Sequence, residues 1–126
     1  MEENKKVILL IGSAPFGGDP TNPTYELAKL LNGTVYKDYV FRSASFPVSR
    51  RQCIPAVEAA IEKWNPSIVI GVGLADNRPG VCVERVAVNV ADFPIRDNEG
   101  YLALNETLTR SLSEHPSHSG LCQRAA

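Results

Sequence analysis

The stretch VILLIGSAPFGGDPTNP, residues 7–23, joins a continuous apolar run to a loop rich in glycine and proline. The run from Val7 to Ile11 is typical of a strand buried on both faces, as in parallel sheets. Asn22 and Pro23 are residue types that begin helices, the first as cap and the second as first helical residue. The stretch therefore predicts a strand, a loop and a helix over residues 24–31.

The same alternation continues along the chain. Residues 34–41 are rich in aromatic and β-branched side chains and predict a second strand, nearer an edge because two charged residues interrupt it. Apolar residues at helical spacing predict a helix within residues 49–64, with its regular part beginning near Pro55. Residues 68–73 form another fully apolar run and predict the next inner strand. This order predicts a three-layer α/β/α fold around a twisted, mostly parallel sheet, with the loops after Gly12 and Gly73 at one sheet end.

Length and composition place the chain in one class of protein and exclude others. With 126 residues, 44% of them hydrophobic, it fits one globular domain with a modest core. A net charge of -1 gives no basic surface of the kind that nucleic acids or anionic membranes require, so we expect neither partner. The first apolar run is too short for a signal peptide, and no segment approaches the length of a membrane span.

The cysteines do not form a recognisable framework. Cys53, Cys82 and Cys122 are odd in number and widely spaced, and His115 and His118 are the two histidines. This pattern supports neither a zinc site nor a set of disulfides. We therefore expect a cytoplasmic protein with no cofactor.

One carboxylate interrupts the Val-rich run of residues 81–89. The run predicts a strand, in which Glu84 and Arg85 would point to opposite faces, so Glu84 needs another partner. From the pattern alone, Glu84 belongs either to a structural ion pair, the more frequent case, or to a catalytic group.

Two loops precede the predicted helix and the Val-rich run. Residues 12–23 contain neither a Walker A sequence nor a dinucleotide fingerprint, so they are either a plain turn or a ligand loop walled by Phe16. In residues 74–80, Arg78 is either a solvated cation or a group that fixes the loop or a substrate.

Together these blocks resemble pyroglutamyl peptidase I, the cysteine peptidase family also called pyrrolidone-carboxylate peptidase. The family pattern Gly-Phe-x-Pro-Phe-Gly-Gly-x-x-x-Asn-Pro is similar to residues 12–23, and Leu-Pro-Val-Ser is similar to residues 46–49. The pattern Gly-x-x-x-Gly-Arg-x-x-x-x-x-Glu-Arg-Val-Ala-x-Asn is similar to residues 73–89, and Pro-Asp-Asn-x-Gly to residues 97–100. The resemblance covers about residues 5–100, in order and without a large gap.

The resemblance implies removal of N-terminal pyroglutamate from peptides by a hydrolase-like α/β domain. A cysteine thiolate attacks the carbonyl, a histidine transfers the proton, and an acidic residue orients the imidazole. Glu84 matches this acidic residue. The residues assigned to substrate binding lie in the two loops: Phe16, Gly17, Gly18, Leu74 and Arg78.

The chain also departs from the family. Ser13 replaces the first aromatic residue of the loop, and the cysteines at 53, 82 and 122 do not match the family nucleophile, nor is its histidine matched. We expect residues 1–100 to be the N-terminal part of a pyroglutamyl-peptidase-like domain whose C-terminal part is missing. Residues 101–126 are predicted as a divergent tail, partly helical or disordered, and exposed sheet edges favour a homo-oligomer.

Two functions therefore remain open: a cysteine-type peptidase, and a non-catalytic α/β module that binds a small molecule. The ligand of such a module would be a cyclic amide, or a phosphate or nucleotide bound at a flavodoxin-like site.

Overall fold

The computed structural model describes residues 4–108. In chain order the elements are β1 (Lys6–Ser13), α1 (Pro23–Leu31), β2 (Val35–Tyr36), β3 (Tyr39–Phe46), α2 (Cys53–Trp64), β4 (Ile68–Gly71), β5 (Val90–Ala91) and β6 (Glu106–Thr107). One sheet has the strand order β2-β3-β1-β4, and β5 pairs with β6 separately. Both neighbours of β1 are parallel to it, and β2 runs antiparallel to β3. The predicted α/β fold with a mostly parallel sheet is confirmed.

The two helices cover opposite faces of this sheet. Side chains of β1 alternate between the faces, and Leu9 and Ile11 pack with Val57 of α2 in the main core. Gly12 belongs to the other face, where a Cβ would lie 2.9 Å from Cα of Tyr25 in α1. The connections β1-α1-β3 and β3-α2-β4 run in opposite directions across the sheet, so right-handed crossovers place the helices on opposite sides.

Helix α1 begins where the sequence predicts. The Asn22 side chain accepts a hydrogen bond from the Thr24 backbone N–H at 3.0 Å, and Pro23 occupies the first turn. Thr24 Oγ1 in turn accepts from the Ser13 N–H at 2.9 Å. This bond fixes the start of α1 against the end of β1.

The predicted strand over residues 34–41 is wrong in its extent. Lys37 has a φ of 53° and lies in a turn with Asp38, and this turn separates the short antiparallel β2 from β3. The charged residues that interrupt the pattern therefore lie where the chain reverses direction. As a result β3 extends to Phe46 and lies inside the sheet, while β2 lies at its edge.

Helix α2 and strand β4 are close to their predicted positions. Pro55 lies in the first turn of α2, and Asn65, with a φ of 41°, ends that helix. Strand β4, however, is an edge strand of the described sheet and not an inner one. Ile68 and Ile70 are about two-fifths exposed, at 40% and 41%, because no helix among residues 4–108 covers their face.

The predicted strand over residues 81–89 is wrong. The structure has no regular element there, and Val81 and Val83 are almost fully exposed. A β-branched run forms a strand only where its backbone pairs with a neighbouring strand, and among residues 4–108 this run pairs with none. The pairing resumes at Val90 in β5.

Residues 101–108 differ from the expected tail. Leu104 is not helical, Ala103 is buried, and β6 pairs with β5 in antiparallel fashion. The remaining tail, 109–126, with both histidines and Cys122, lies outside the described residues. None of the described helices is long and apolar enough to cross a membrane. The cytoplasmic location and the partners stay predictions.

Candidate functional site

The first loop leaves the sheet beside the end of β3. The Ala14 N–H donates to the Phe46 carbonyl at 3.0 Å, which continues the pairing of β1 with β3 by one residue. On the other side, Asn22 Nδ2 donates to the Ala14 carbonyl at 3.4 Å. Ser13, which replaces a family aromatic, is buried and donates through its hydroxyl to the Ala14 carbonyl. The base of the loop is thus held by the sheet and by the cap of α1.

The tip of this loop is a tight turn. The Asp19 N–H donates to the Phe16 carbonyl at 3.2 Å, and Gly17 and Gly18 between them have φ values of 65° and 86°. Positive φ at both central positions is the pattern of a type I′ turn and favours glycine. A Cβ at either glycine would meet no atom within 4 Å, so conformation and not space requires glycine here. The half-buried Phe16 is therefore followed by two residues that have no side chain.

A second segment, the Asp97–Gly100 turn, holds the first loop from outside. Asn98 Nδ2 donates to the Pro15 carbonyl at 2.9 Å, and the Asn98 backbone N–H donates to the Val48 carbonyl at 2.9 Å. The sequence of this turn is similar to a family pattern, and that pattern predicts no role for it. The contact joins residues 83 positions apart, so no local pattern reveals it.

Asp97 fixes the turn to the segment before α2. Its carboxylate accepts from the Arg50 N–H at 2.7 Å and from the N–H groups of Glu99 and Tyr101 at 2.9 Å each. Burial acts to raise the pKa of Asp97, but the three backbone donors outweigh it, so the pKa lies below its usual value.

Glu99 adds three side-chain contacts to the same segment. Its carboxylate accepts from the buried Ser49 hydroxyl, and from Arg51 and Gln52 at 2.8 Å each. The Ser49 hydrogen bond, followed by that from Arg51, lowers the pKa of Glu99. Both carboxylates are therefore acceptors in their charged form, which fixes the turn in place at neutral pH.

Arg50 connects this network to strand β6. Its guanidinium donates to the Thr107 carbonyl at 2.8 Å, and its Nε lies 3.6 Å from the Glu106 carboxylate. Tyr101 donates its hydroxyl to the same carboxylate at 2.5 Å, which raises the pKa of Tyr101. The end of the described chain is thereby attached to the start of α2.

The second loop leaves the sheet at the same end as the first. The Val72 N–H donates to the Ile11 carbonyl at 2.9 Å, directly before Gly12, and β4 is parallel to β1. The carboxyl ends of adjacent parallel strands meet at one edge, where ligands bind in open α/β sheets. The expected placement of the two loops is confirmed.

Glu84 has the separate partner that its position requires. Arg78 donates a charge-assisted hydrogen bond to Glu84, and each side chain is 41% exposed. The hydrogen bond to Glu84 raises the pKa of Arg78 further above its usual range. Two predicted site residues are thus in direct contact, on a stretch without regular structure. The half-buried Leu74 begins the same loop.

Two thiols lie within the described residues. Cys53 is buried at the start of α2, and Cys82 is exposed, with its thiol 3.7 Å from the Gly80 carbonyl. Residues 4–108 hold no group of three side chains suited to a metal ion. A cavity of about 220 Å³ between α1 and β3 contains no predicted site residue; its lining is Tyr25, Ala28, Lys29, Ser43, Ala44 and Ser45.

Comparison with known proteins agrees with this arrangement of an α/β sheet and two loops. A family model described as pyroglutamyl peptidase matches residues 5–116. A pyrrolidone-carboxylate peptidase of Bacillus cereus is 40% identical over 95 residues, which are 75% of this chain and 44% of that protein. One from Vibrio parahaemolyticus is 42% identical over 103 residues, 82% of this chain and 49% of that protein.

Solved structures give the same result. Pyroglutamyl peptidase I from Bacillus amyloliquefaciens matches with a TM-score of 0.81 at 36% identity, covering 84% of this chain and 50% of that one. A mutant pyrrolidone carboxyl peptidase from Pyrococcus furiosus matches with a TM-score of 0.78 at 38% identity, covering 80% and 49%. The class is therefore a three-layer α/β protein with its loops at one sheet end. The chain belongs to the pyroglutamyl peptidase family, and it spans about half the length of the curated relatives it matches.

Proposed function

We propose that this chain recognises the N-terminal pyroglutamyl group of peptides. The observation that carries the proposal is the emergence of both family loops, after Gly12 and after Gly73, at one end of the sheet. Family membership supplies the class of ligand.

The first loop fits the chemistry of a pyrrolidone ring. The ring is flat, uncharged and largely apolar, with a lactam N–H and carbonyl at its edge. Phe16 offers an aromatic wall, and the side-chain-free backbone at Gly17 and Gly18 allows close approach of a polar edge. Leu74 and Arg78, in the second loop, are proposed to contact the ring from the opposite side.

Hydrolysis needs more than these residues. Glu84 is proposed as the carboxylate that orients an imidazole, but in this structure it accepts from Arg78. Arg78 contacts one carboxylate oxygen, Oε1, and an imidazole N–H would donate to the other, Oε2. Neither described thiol matches the family nucleophile, and loss of the nucleophile from such a triad removes nearly all of its chemical step. We therefore propose binding without turnover for the 126-residue chain.

Binding is tested with pyroglutamyl-alanine amide, with prolyl-alanine amide as the matched ligand that lacks the lactam carbonyl and carries a positive charge. We expect ¹⁵N chemical-shift changes at Gly17 and Gly18 for the first ligand alone. Phe16→Ala should weaken its binding about tenfold, the effect of roughly 1.4 kcal/mol. Leu30→Ala, an apolar truncation at an exposed residue on α1, should leave binding unchanged. Equal binding of both amides would refute pyroglutamyl recognition.

Turnover is tested with a fluorogenic pyroglutamyl amide, before and after treatment with iodoacetamide. We expect no release of fluorophore above a protein-free control. Release that disappears on alkylation would show instead that Cys53, Cys82 or Cys122 acts as the nucleophile, and would establish a peptidase.

A phosphate or nucleotide site is the weaker alternative. The Thr24 N–H at the start of α1 is already bonded to Asn22, and Asp19 places a carboxylate next to the glycine turn. Both features oppose an anion at this helix terminus. A titration with inorganic phosphate should therefore leave the Gly17 and Gly18 signals unchanged.

A further inference from the structure

We propose that Asn98 is a positioning residue, which holds the first loop, and with it Phe16, in the geometry that accepts the pyroglutamyl ring. The inference rests on the proposed function for its ligand. Its structural part, that Asn98 holds the loop, rests on hydrogen bonds alone.

The loop has few other attachments near Phe16. Ala14 is bonded to β3 through its N–H and to Asn22 through its carbonyl. Pro15 has no N–H to donate, and within residues 4–108 the Phe16 backbone accepts from Asp19 in its own turn. The carbonyl of Pro15, one residue before the aromatic, is the group that Asn98 takes at 2.9 Å. This bond fixes the backbone one residue before Phe16.

Asn98 is itself held in place. Its N–H is bonded to Val48, and the carboxylates of its neighbours Asp97 and Glu99 each accept three hydrogen bonds, mostly from residues 49–52. The side-chain amide therefore projects from a fixed backbone, so little conformational freedom is lost when it bonds to Pro15.

The size of the effect follows from one neutral hydrogen bond. Such a bond shifts an equilibrium by about three- to tenfold. Asn98 is exposed and is not among the residues of the main core, so its loss should act on the loop and not on global unfolding.

The test replaces Asn98 with aspartate, an isostere that removes the Nδ2 donor and keeps the backbone bonds. Asn65→Asp is the matched control, because it makes the same chemical change at an exposed position after α2, at the other end of β4. Asn98→Ala is the second variant, which removes the donor without adding charge. Hydrogen exchange of residues 14–19 and of β1 is followed by mass spectrometry, and binding of pyroglutamyl-alanine amide by NMR titration.

We expect both Asn98 variants to exchange about three- to tenfold faster in residues 14–19, with β1 unchanged, and to bind the amide more weakly by the same factor. Asn65→Asp should match the wild type in both measurements. Unchanged exchange in residues 14–19, or equal acceleration throughout β1, would overturn the positioning role. Faster loop exchange with unchanged affinity would overturn its link to the ligand. A wild-type chain that binds no amide would refute the proposed function, while the exchange result would still decide whether Asn98 holds the loop.

Discussion

At the scale of single residues, Gly12 decides how closely α1 approaches the sheet. A Cβ at this position would meet the backbone of Thr24 and lie 2.9 Å from Cα of Tyr25. Backbone atoms cannot move aside as a flexible side chain can. The glycine that ends the first apolar run is therefore required by helix packing, in addition to opening the loop.

We predict that Gly12→Ala destabilises the protein by about 1–3 kcal/mol, because α1 must shift to admit the methyl group. Urea unfolding followed by circular dichroism measures the loss. Gly71→Ala is the control: a Cβ there meets no atom within 4 Å, and its midpoint should equal or slightly exceed that of the wild type. Equal effects of the two substitutions would contradict the packing explanation.

The Arg78–Glu84 pair gives a second prediction at this scale. Both side chains are 41% exposed, and an exposed ion pair contributes little to stability because solvent screens it. Glu84→Gln should therefore leave the urea midpoint within error of the wild type. A clear fall in the midpoint would assign the pair a structural role and remove the reason to propose a functional one for Glu84.

The sequence predicted that Glu84 needs a partner other than Arg85, but it did not identify Arg78 as that partner. Adjacent residues of an extended chain point apart, which excludes Arg85 as the partner of Glu84 whatever the longer structure. Arg78 reaches Glu84 because the intervening chain is irregular. Whether this segment is irregular or a strand depends on pairing with another strand, which the local sequence pattern does not show. The same reason explains why residues 81–89, although rich in valine, form no strand.

At the scale of elements, the Asp97–Gly100 turn joins three segments: the first loop, the start of α2 and the chain beyond β5. Its sequence could be recognised as a pattern, but its role arises from contacts about 50 to 80 residues distant along the chain. By contrast, β1 and α1 were predictable because a buried strand, a capping asparagine and a first-turn proline act locally.

We predict that this turn makes the protein sensitive to acid. The pKa values of Asp97 and Glu99 lie below their usual 3.8 and 4.5 in the folded state. A lowered folded-state pKa gives stability that is fully present above the unfolded-state value and is lost as pH falls through the folded-state value. The urea midpoint should therefore decline below about pH 4.5, with the carboxylates of the turn contributing to the decline.

The double variant Asp97→Asn, Glu99→Gln tests the assignment. It should have a lower midpoint than the wild type at pH 7 and a smaller difference from it as the pH falls toward about 3. Glu62→Gln, which removes an exposed carboxylate of α2 outside the turn, should keep the wild-type midpoint at pH 7. A constant difference between the double variant and the wild type across this range would show that the turn's charges do not cause the acid sensitivity.

At the scale of the whole molecule, the described sheet ends at an open edge. Strand β4 has β1 on one side and no strand among residues 4–108 on the other, so its outer backbone groups are available for pairing. Ile68 and Ile70 add an apolar face that neither described helix covers, since they share the side of Ile8 and Leu10 on which α1 lies over β1 and β3. An open edge beside an apolar face favours association with a second copy.

We predict that the 126-residue chain self-associates as its concentration rises, and that Ile70→Lys weakens this association, because a charge beside the edge opposes strand pairing and removes apolar surface. Sedimentation velocity over a hundredfold range of concentration measures it. The control is Leu30→Lys, which makes the same kind of change at a 78% exposed residue on α1, away from β4, and should associate as the wild type does. A chain that stays monomeric over the whole range would contradict the open-edge explanation, and equal weakening by both lysines would replace it with general apolar attraction.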